Sequence, residues 1–228
     1  MTLTPVKGVI FDLDDTLFDC SGQLTGPARQ RAANILAQAG FDAGMFVETQ
    51  AALSQTLGSS GAIRELGRQY AISSHLVEQA LLAYNAPTVE PIFPFPDVLP
   101  TLCALTDRHY ALVVVTSGRP DRQRQKIAQL GLNGYFEERQ KTLILHNDQK
   151  SADKTPCLQQ AARQMALPPQ AIFSVGDKLD AEIAASNRLG MTTVRLRHGR
   201  QKNRLPQTPD EHPHFEIDTL SQLLTLLP

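Results

Sequence analysis

Five short apolar runs limit what this chain can fold into. They occupy residues 9–11, 111–115, 143–145, 172–175 and 192–196, and most of their members are β-branched or otherwise large and apolar. Helix-patterned segments follow at roughly 120–131, 155–166 and 179–189. Continuous apolar runs of this length predict strands that are buried on both faces, as in a parallel sheet. The alternation therefore predicts an α/β fold with a doubly wound parallel sheet.

One segment interrupts this alternation. From about Leu24 to Tyr84 the sequence has a helical pattern with no convincing strand, and prolines at 87, 91, 94 and 96 close it with an extended connection. About 90 residues between two strands is far more than a plain crossover needs. We therefore predict a small helical domain of about four helices at 19–91, inserted into a core made of 1–18 and 92–228. The alternative is that these helices pack directly on the sheet.

Composition narrows the function classes. Lys and Arg total 22 against 23 Asp and Glu, a formal net charge of -1, which gives no global reason to bind nucleic acid or an anionic membrane. The amino terminus does not resemble a signal peptide, and we find no apolar stretch of the roughly 18 residues that a membrane span needs. Cys20, Cys103 and Cys157 are widely spaced, which favours reduced thiols. These features predict a cytoplasmic protein, and they leave open whether it is a monomer or a homodimer.

The end of the first predicted strand carries paired carboxylates. Ligands of open α/β sheets bind at the carboxyl ends of the strands. Asp12 and Asp14 are two residues apart, so in an extended segment they share one side while Leu13 turns away. Such a pair can divide the work of a nucleophile and a proton donor. An acidic turn that caps a helix is the alternative interpretation.

Two further segments suit a phosphate group. Thr116, Ser117 and Gly118 end the second predicted strand and can offer hydroxyl and backbone N–H donors. Lys154 begins a predicted helix and can neutralise phosphate as a point charge, with Lys150 as a neighbouring candidate. Each segment alone is also compatible with an ordinary turn or a surface lysine.

The fourth strand ends in an acidic segment. Asp177 follows a buried strand and Gly176, a position that suits a ligand of a hard cation. Asp180 or Glu182 can support that cation through water or by orienting its ligands, and the sequence does not decide between them. Acidic residues that favour a helix N-terminus are the alternative.

Together the four segments resemble the motifs of the haloacid dehalogenase superfamily of aspartate-nucleophile phosphatases. The DxDxT motif with its preceding apolar run matches 9–16, and the GDxxxD-type motif matches 176–182. The Thr/Ser motif matches Thr116, and the lysine motif matches Lys154. Two details depart from the usual pattern: the lysine motif contains Thr155 before the proline, and Glu182 stands where Asp is common. The resemblance implies a Rossmann-like core with an α-helical C1-type cap domain.

It also implies a mechanism. Asp12 would attack phosphorus to form an aspartyl-phosphate, and Asp14 would act as acid and then as base. Magnesium would be held by Asp12, by the backbone carbonyl of Asp14 and by Asp177. Thr116 and Lys154 would stabilise the transferring group, and the cap would choose the leaving group.

The resemblance leaves the substrate open beyond a small phosphorylated metabolite. A phosphomutase shares all four motifs. A haloacid dehalogenase shares the fold but uses no magnesium and lacks the second aspartate of the first motif, so Asp14 and Asp177 argue against it. A phospho-accepting receiver module is the alternative outside the enzymes, but such modules are about half this length and have no helical insertion.

A cationic run near the C-terminal end has two interpretations. It is either a solvated loop or a patch that steers anionic substrates. Its members are Arg195, Arg197, Arg200, Lys202 and Arg204.

Overall fold

The computed structural model describes residues 5–86, 91–136, 142–145 and 153–227. Pro87 and Lys150 lie outside these ranges. The chain divides into two compact units, one made of Met1–Cys20 with Ile92–Pro228 and the other of Ser21–Pro91. The first unit contains the sheet and the second is helical.

The sheet of the first unit has six strands in the order β3-β2-β1-β4-β5-β6, and every neighbouring pair is parallel. The α/β fold with a doubly wound, Rossmann-like parallel sheet is thereby confirmed. The short strand β6 was not predicted, because two of its three residues are exposed and it lacks the apolar pattern of a buried strand. The strands are β1 (Gly8–Phe11), β2 (Ala111–Ser117), β3 (Thr142–Leu145), β4 (Ile172–Gly176), β5 (Thr192–Leu196) and β6 (Phe215–Ile217).

Nine α-helices are present in the described ranges, and none of them is long and apolar enough to cross a membrane. The third helix predicted for the core begins instead with a π-helical turn, Leu179–Ile183, which leads into a short α-helix. The helices are α1 (Gly26–Leu36), α2 (Ala43–Gln69), α3 (Ser74–Asn85), α4 (Val98–Asp107), α5 (Pro120–Gln129), α6 (Asn133–Phe136), α7 (Thr155–Met165), α8 (Ala184–Arg188) and α9 (Leu223–Leu226).

Successive side chains of a strand point to opposite faces of the sheet, so both faces need helices to bury them. Ile10 and Val113 on one face join a buried cluster with Leu158 of α7. Phe11 points the other way, and its ring meets that of Phe136 in α6 at 6.3 Å. Burial on both faces explains why the strands read as continuous apolar runs.

The strand order reverses beside β1. This strand lies between β2 and β4, and the chain leaves β1 and β4 at the same edge of the sheet. The backbone N–H of Asp12 extends this pairing by donating to the carbonyl of Val175 at 2.9 Å. In open α/β folds such a switch point is where ligands bind.

The helical unit has a core of its own. Helices α1, α2 and α3 pack on one another around Leu36, Phe46 and Leu66. Asp42 and Ser73 cap α2 and α3, each accepting a hydrogen bond from a backbone N–H three residues ahead. Helix α2 contains non-helical backbone angles at Gly58, φ 69° and ψ 167°, which divide it into two helical segments.

The cationic run, which begins within β5, contains a structural arginine. Arg195 is buried. Its guanidinium donates hydrogen bonds to Glu216 at 2.8 Å and to backbone carbonyls, including that of Gln201 at 2.7 Å. Arg204 contacts the carboxylates of Asp180 and Glu211, each at 3.1 Å. The solvated-loop interpretation is therefore wrong for Arg195, since its charge is used to hold the loop.

Candidate active site

Asp12 is the buried centre of the site. It follows β1 directly, and its side chain is 3% exposed. Its Oδ1 accepts a hydrogen bond from Lys154 Nζ at 2.5 Å, whereas Oδ2 has no hydrogen-bond partner among the described residues. Burial raises the pKa of Asp12 to about 6. The attraction of Lys154 opposes this effect, and the weaker repulsion of Glu182 adds to it.

Lys154 reaches the site from the N-cap of α7. Its buried ammonium donates to Asp12 and, at 3.0 Å, to Oε2 of Glu182. Burial disfavours the cation, but the attraction of the two carboxylates offsets it, and the pKa of Lys154 lies above its ordinary value. Although Thr155 separates this lysine from Pro156, the helix start places Lys154 beside the first strand.

The end of β4 adds two more carboxylates. Asp177 is 1% exposed, and its Oδ1 has no hydrogen-bond partner within the described part of the chain. Glu182 comes from the π-helical turn, and its Oε1 accepts from the backbone N–H of Lys178 at 2.8 Å. Burial, then the neighbouring Glu182 and Asp12, raises the pKa of Asp177 well above its usual range.

These three acids have the composition of a divalent cation site. Asp12, Asp177 and Glu182 each present one oxygen, and the three oxygens lie within 4.8 Å of one another. Mg²⁺ takes hard oxygen ligands and usually one or two protein carboxylates. Two buried oxygens without hydrogen-bond partners in the described residues, on Asp12 and Asp177, therefore fit such an ion. Asp180 instead is exposed and contacts Arg204 outside this cluster.

Gly176 is required by the close approach of Glu182. A Cβ atom at this strand position would overlap Cγ, Cδ and Oε1 of Glu182. The absence of a side chain on Gly176 therefore lets the glutamate fold back over the end of β4 toward Lys154. This gives the glycine of the fourth motif a steric reason.

Asp14 is bound by two side chains of α5. Both of its carboxylate oxygens accept from Lys126 Nζ, at 2.7 and 2.9 Å, and Oδ2 lies 3.3 Å from Gln123 Nε2. Burial alone would raise the pKa of Asp14, but the charge and hydrogen bond of Lys126 reverse this and lower it. Gln123 Nε2 also donates to Thr116 Oγ1 at 2.5 Å.

The groups predicted for phosphate lie at the end of β2 and directly after it. Thr116 is buried, whereas Ser117 and Gly118 are half-buried. Gly118 has a φ of 137°, which favours glycine. The structure thus collects Asp12, Lys154, Asp177 and Glu182 in one cluster, and Asp14 and Thr116 share the side chain of Gln123.

Sequence reasoning missed Gln123, Lys126 and Lys178. Gln123 and Lys126 are three residues apart in α5, so they share one helix face, and this helix begins just after a phosphate-type strand end. That spacing alone does not single them out, because the neighbouring positions of this helix are equally polar. Lys178 follows Asp177 directly, and its attraction to Asp177 and Glu182 outweighs burial and raises its pKa.

The parallel sheet carries an acidic cluster at its switch point, an arrangement typical of α/β enzymes. The sequence model of the haloacid dehalogenase-like hydrolases matches residues 6–190. The chain is 31% identical to a glyceraldehyde 3-phosphate phosphatase of Methanopyrus kandleri over 97% of both chains. It is 25% identical to a ribulose-1,5-bisphosphate 5-phosphatase of Halopiger xanaduensis, with 96% of this chain and 98% of the relative covered.

A solved structure gives the same result for the fold. A HAD phosphatase of Thermococcus onnurineus superposes with a TM-score of 0.62 and 24% identity, over 97% of each chain. The protein belongs to the haloacid dehalogenase-like hydrolase family. The membership predicted from the four motifs is confirmed.

Proposed function

We propose that this hydrolase is a magnesium-dependent phosphatase that cleaves the phosphate esters of small metabolites through an aspartyl-phosphate on Asp12. The observation that carries the proposal is the state of Asp12: a buried carboxylate, held through one oxygen by Lys154, with no hydrogen-bond partner among described residues at the other. A fixed carboxylate with an available oxygen is what a nucleophile requires. Both relatives above are named for small phosphorylated sugars, which supports this substrate class.

The metal site of this proposal uses Asp12, Asp177 and the backbone carbonyl of Asp14. Glu182, not Asp180, supports it, because Glu182 lies in the acidic cluster and orients Lys154 beside Asp12. When bound, Mg²⁺ would neutralise charge on the transferring phosphoryl group and hold one of its oxygens.

The side chains account for the remaining steps. An oxygen of Asp12 forms a bond to phosphorus as the ester P–O bond breaks, and the departing oxygen takes a proton from Asp14. This step uses the protonated form of Asp14, which is the minor form at neutral pH because Lys126 lowers its pKa. The Asp14 carboxylate then takes a proton from water, whose oxygen attacks the same phosphorus and releases phosphate from Asp12. Lys154, Thr116 and the donors at 117–118 stabilise charge on the phosphoryl oxygens.

Replacing the nucleophile tests the proposal. Asp12→Asn keeps the shape of the side chain but cannot attack, so turnover of p-nitrophenyl phosphate and of phosphorylated sugars should fall to background. The matched control is Asp121→Asn, an exposed carboxylate of α5 that should leave turnover unchanged. Phosphate release by purified protein, followed with excess magnesium, measures both.

Chelation tests the metal separately. EDTA should abolish turnover in the wild type, and added magnesium should restore it. Turnover that persists undiminished in EDTA would overturn the magnesium assignment and favour a metal-independent dehalogenase. Activity of Asp12→Asn equal to the wild type would overturn the nucleophile.

A further inference from the structure

Helix α5 directs two polar side chains at the carboxylate of Asp14. Lys126 Nζ lies 2.7 and 2.9 Å from its two oxygens, so a single ammonium bridges the whole carboxylate. Gln123 Nε2 approaches Oδ2 at 3.3 Å. Three contacts on one carboxylate leave it little rotational freedom.

These contacts are shielded from solvent, unlike an ordinary surface ion pair. The side chains of Lys126 and Asp14 are 17% and 24% exposed. The ammonium of Lys126 also lies 5.7 Å from the ring centroid of Phe18, which covers one side of it. In this setting the pair is screened less than an exposed pair and holds its geometry better.

Gln123 connects this carboxylate to a second group of the site. Its Nε2 donates to Thr116 Oγ1 at 2.5 Å as well as approaching Asp14. The side chain is 2% exposed, so the amide has a fixed place between the two. One amide therefore sets the separation between the Asp14 carboxylate and the Thr116 hydroxyl.

We infer that Lys126 and Gln123 are positioning residues, which act through Asp14 by holding its carboxylate in the place from which it exchanges protons with the leaving group and with water. The inference rests on the proposed function, because it needs Asp14 to be the acid/base. Neither side chain is required to touch the substrate. Proton transfer needs a donor and an acceptor at hydrogen-bond distance and in line, so a carboxylate free to rotate is a slower catalyst.

The first test removes only the ammonium. Lys126→Met keeps an apolar stem beside Phe18, and kcat for phosphorylated sugars should fall roughly 10- to 100-fold while KM changes little. Lys126→Arg retains a cation that can bind both oxygens, so it should keep more activity than Lys126→Met. Gln123→Leu should also lower kcat. The matched controls are Arg124→Met and Gln125→Leu, exposed residues of the same helix that should leave kcat unchanged.

The second test asks whether Lys126 acts through Asp14. Asp14→Asn should itself lower kcat by about 10²–10⁴-fold. If Lys126 works only by placing that carboxylate, the double variant Lys126→Met/Asp14→Asn should be no slower than Asp14→Asn alone, within about threefold. The loss in Lys126→Met should also be larger for alkyl phosphates than for p-nitrophenyl phosphate, whose leaving group needs no proton.

Three results would overturn the inference: an unchanged kcat in Lys126→Met, a rise in KM that accounts for the whole loss, or independent, multiplied losses in the double variant. Melting temperatures of all variants identify any loss that comes from misfolding. If Lys126→Met is misfolded, the kcat of Lys126→Arg is compared with that of the wild type instead. Failure of the proposed function looks different. In that case the wild type itself has no phosphatase activity above that of Asp12→Asn.

Discussion

At the scale of single residues, three carboxylates lie close together in the buried acidic cluster. Asp12, Asp177 and Glu182 are buried within reach of one another, and burial raises the pKa of both aspartates. Lys154 and Lys178 offset part of this repulsion. We therefore expect the fold that holds this cluster without a metal ion to be less stable than the same fold with one carboxylate charge removed.

Removing one of these charges should therefore stabilise the metal-free protein. Asp177→Asn keeps the shape but removes a buried anion, so its Tm in EDTA should exceed that of the wild type. Lys154→Met removes the opposing cation and should lower Tm under the same conditions. Thermal unfolding followed by circular dichroism measures both; a lower Tm for Asp177→Asn would contradict the repulsion argument.

Magnesium should reverse the order of Tm between the wild type and Asp177→Asn. At a hundredfold excess over its dissociation constant, a ligand stabilises the folded state by about 2.7 kcal/mol. For a chain of this size that is about 5–10 °C in Tm. We expect the wild type to show most of this shift and Asp177→Asn little of it, and this readout does not depend on turnover. Equal shifts in the two proteins would remove Asp177 from the metal site.

At the element scale, the end of β4 and the turn that follows it are built around Gly176. The strand stops at this glycine, and the π-helical turn Leu179–Ile183 carries Glu182 back over it. Since a Cβ at 176 would overlap the glutamate, the two residues depend on each other.

Gly176→Ala should displace Glu182 and so release Lys154 from one of its two carboxylate partners. We expect kcat to fall by about tenfold or more, since misplacement near the reacting groups by 1 Å can cost about 100-fold. Gly134→Ala is the matched control, because no atom lies within 4 Å of a Cβ there. A fully active Gly176→Ala would show that Glu182 can move without harm to the site.

How much the sequence could predict depended on how each element is buried. The apolar strands were predictable because β1, β2, β4 and β5 are buried along nearly their whole length, whereas β6 has two exposed residues and no such pattern. Asp180 and Glu182 lie two positions apart, about 200° around a helix, so only one can face the site. The sequence could not say which, because the π-helical turn sets that direction.

Two other site residues could not be predicted because they belong to a helix that is polar throughout. Gln123 and Lys126 belong to a helix whose composition, PDRQRQKIAQ, is typical of a solvated surface. Nothing local distinguishes them from Arg124 or Gln125 beside them. Both residues contact Asp14, which lies more than a hundred positions away in the sequence, so only the fold reveals these contacts.

At the scale of the whole molecule, the groups proposed to grip phosphate and the helical unit are separate in the chain. Asp12, Thr116 and Lys154 all belong to the sheet unit. The helical unit Ser21–Pro91 has its own packed core and is inserted at one point of the sheet unit, between Cys20 and Ile92. We propose that this unit is a cap that selects the leaving group, while the sheet unit supplies the chemistry common to all substrates.

Exchange of residues 21–91 for the corresponding segment of the Halopiger xanaduensis relative should therefore transfer substrate preference. Binding energy from the non-reacting part of a substrate sets its rank, whereas a small aryl phosphate uses little beyond the phosphoryl group. The chimaera should change the order of kcat/KM among phosphorylated sugars and retain hydrolysis of p-nitrophenyl phosphate. Asp12→Asn in the same chimaera, which should be inactive, shows that the remaining turnover uses the original site. If every substrate, the aryl phosphate included, slowed by one common factor in a chimaera that melts normally, the helical unit would be structural support and not the source of selectivity.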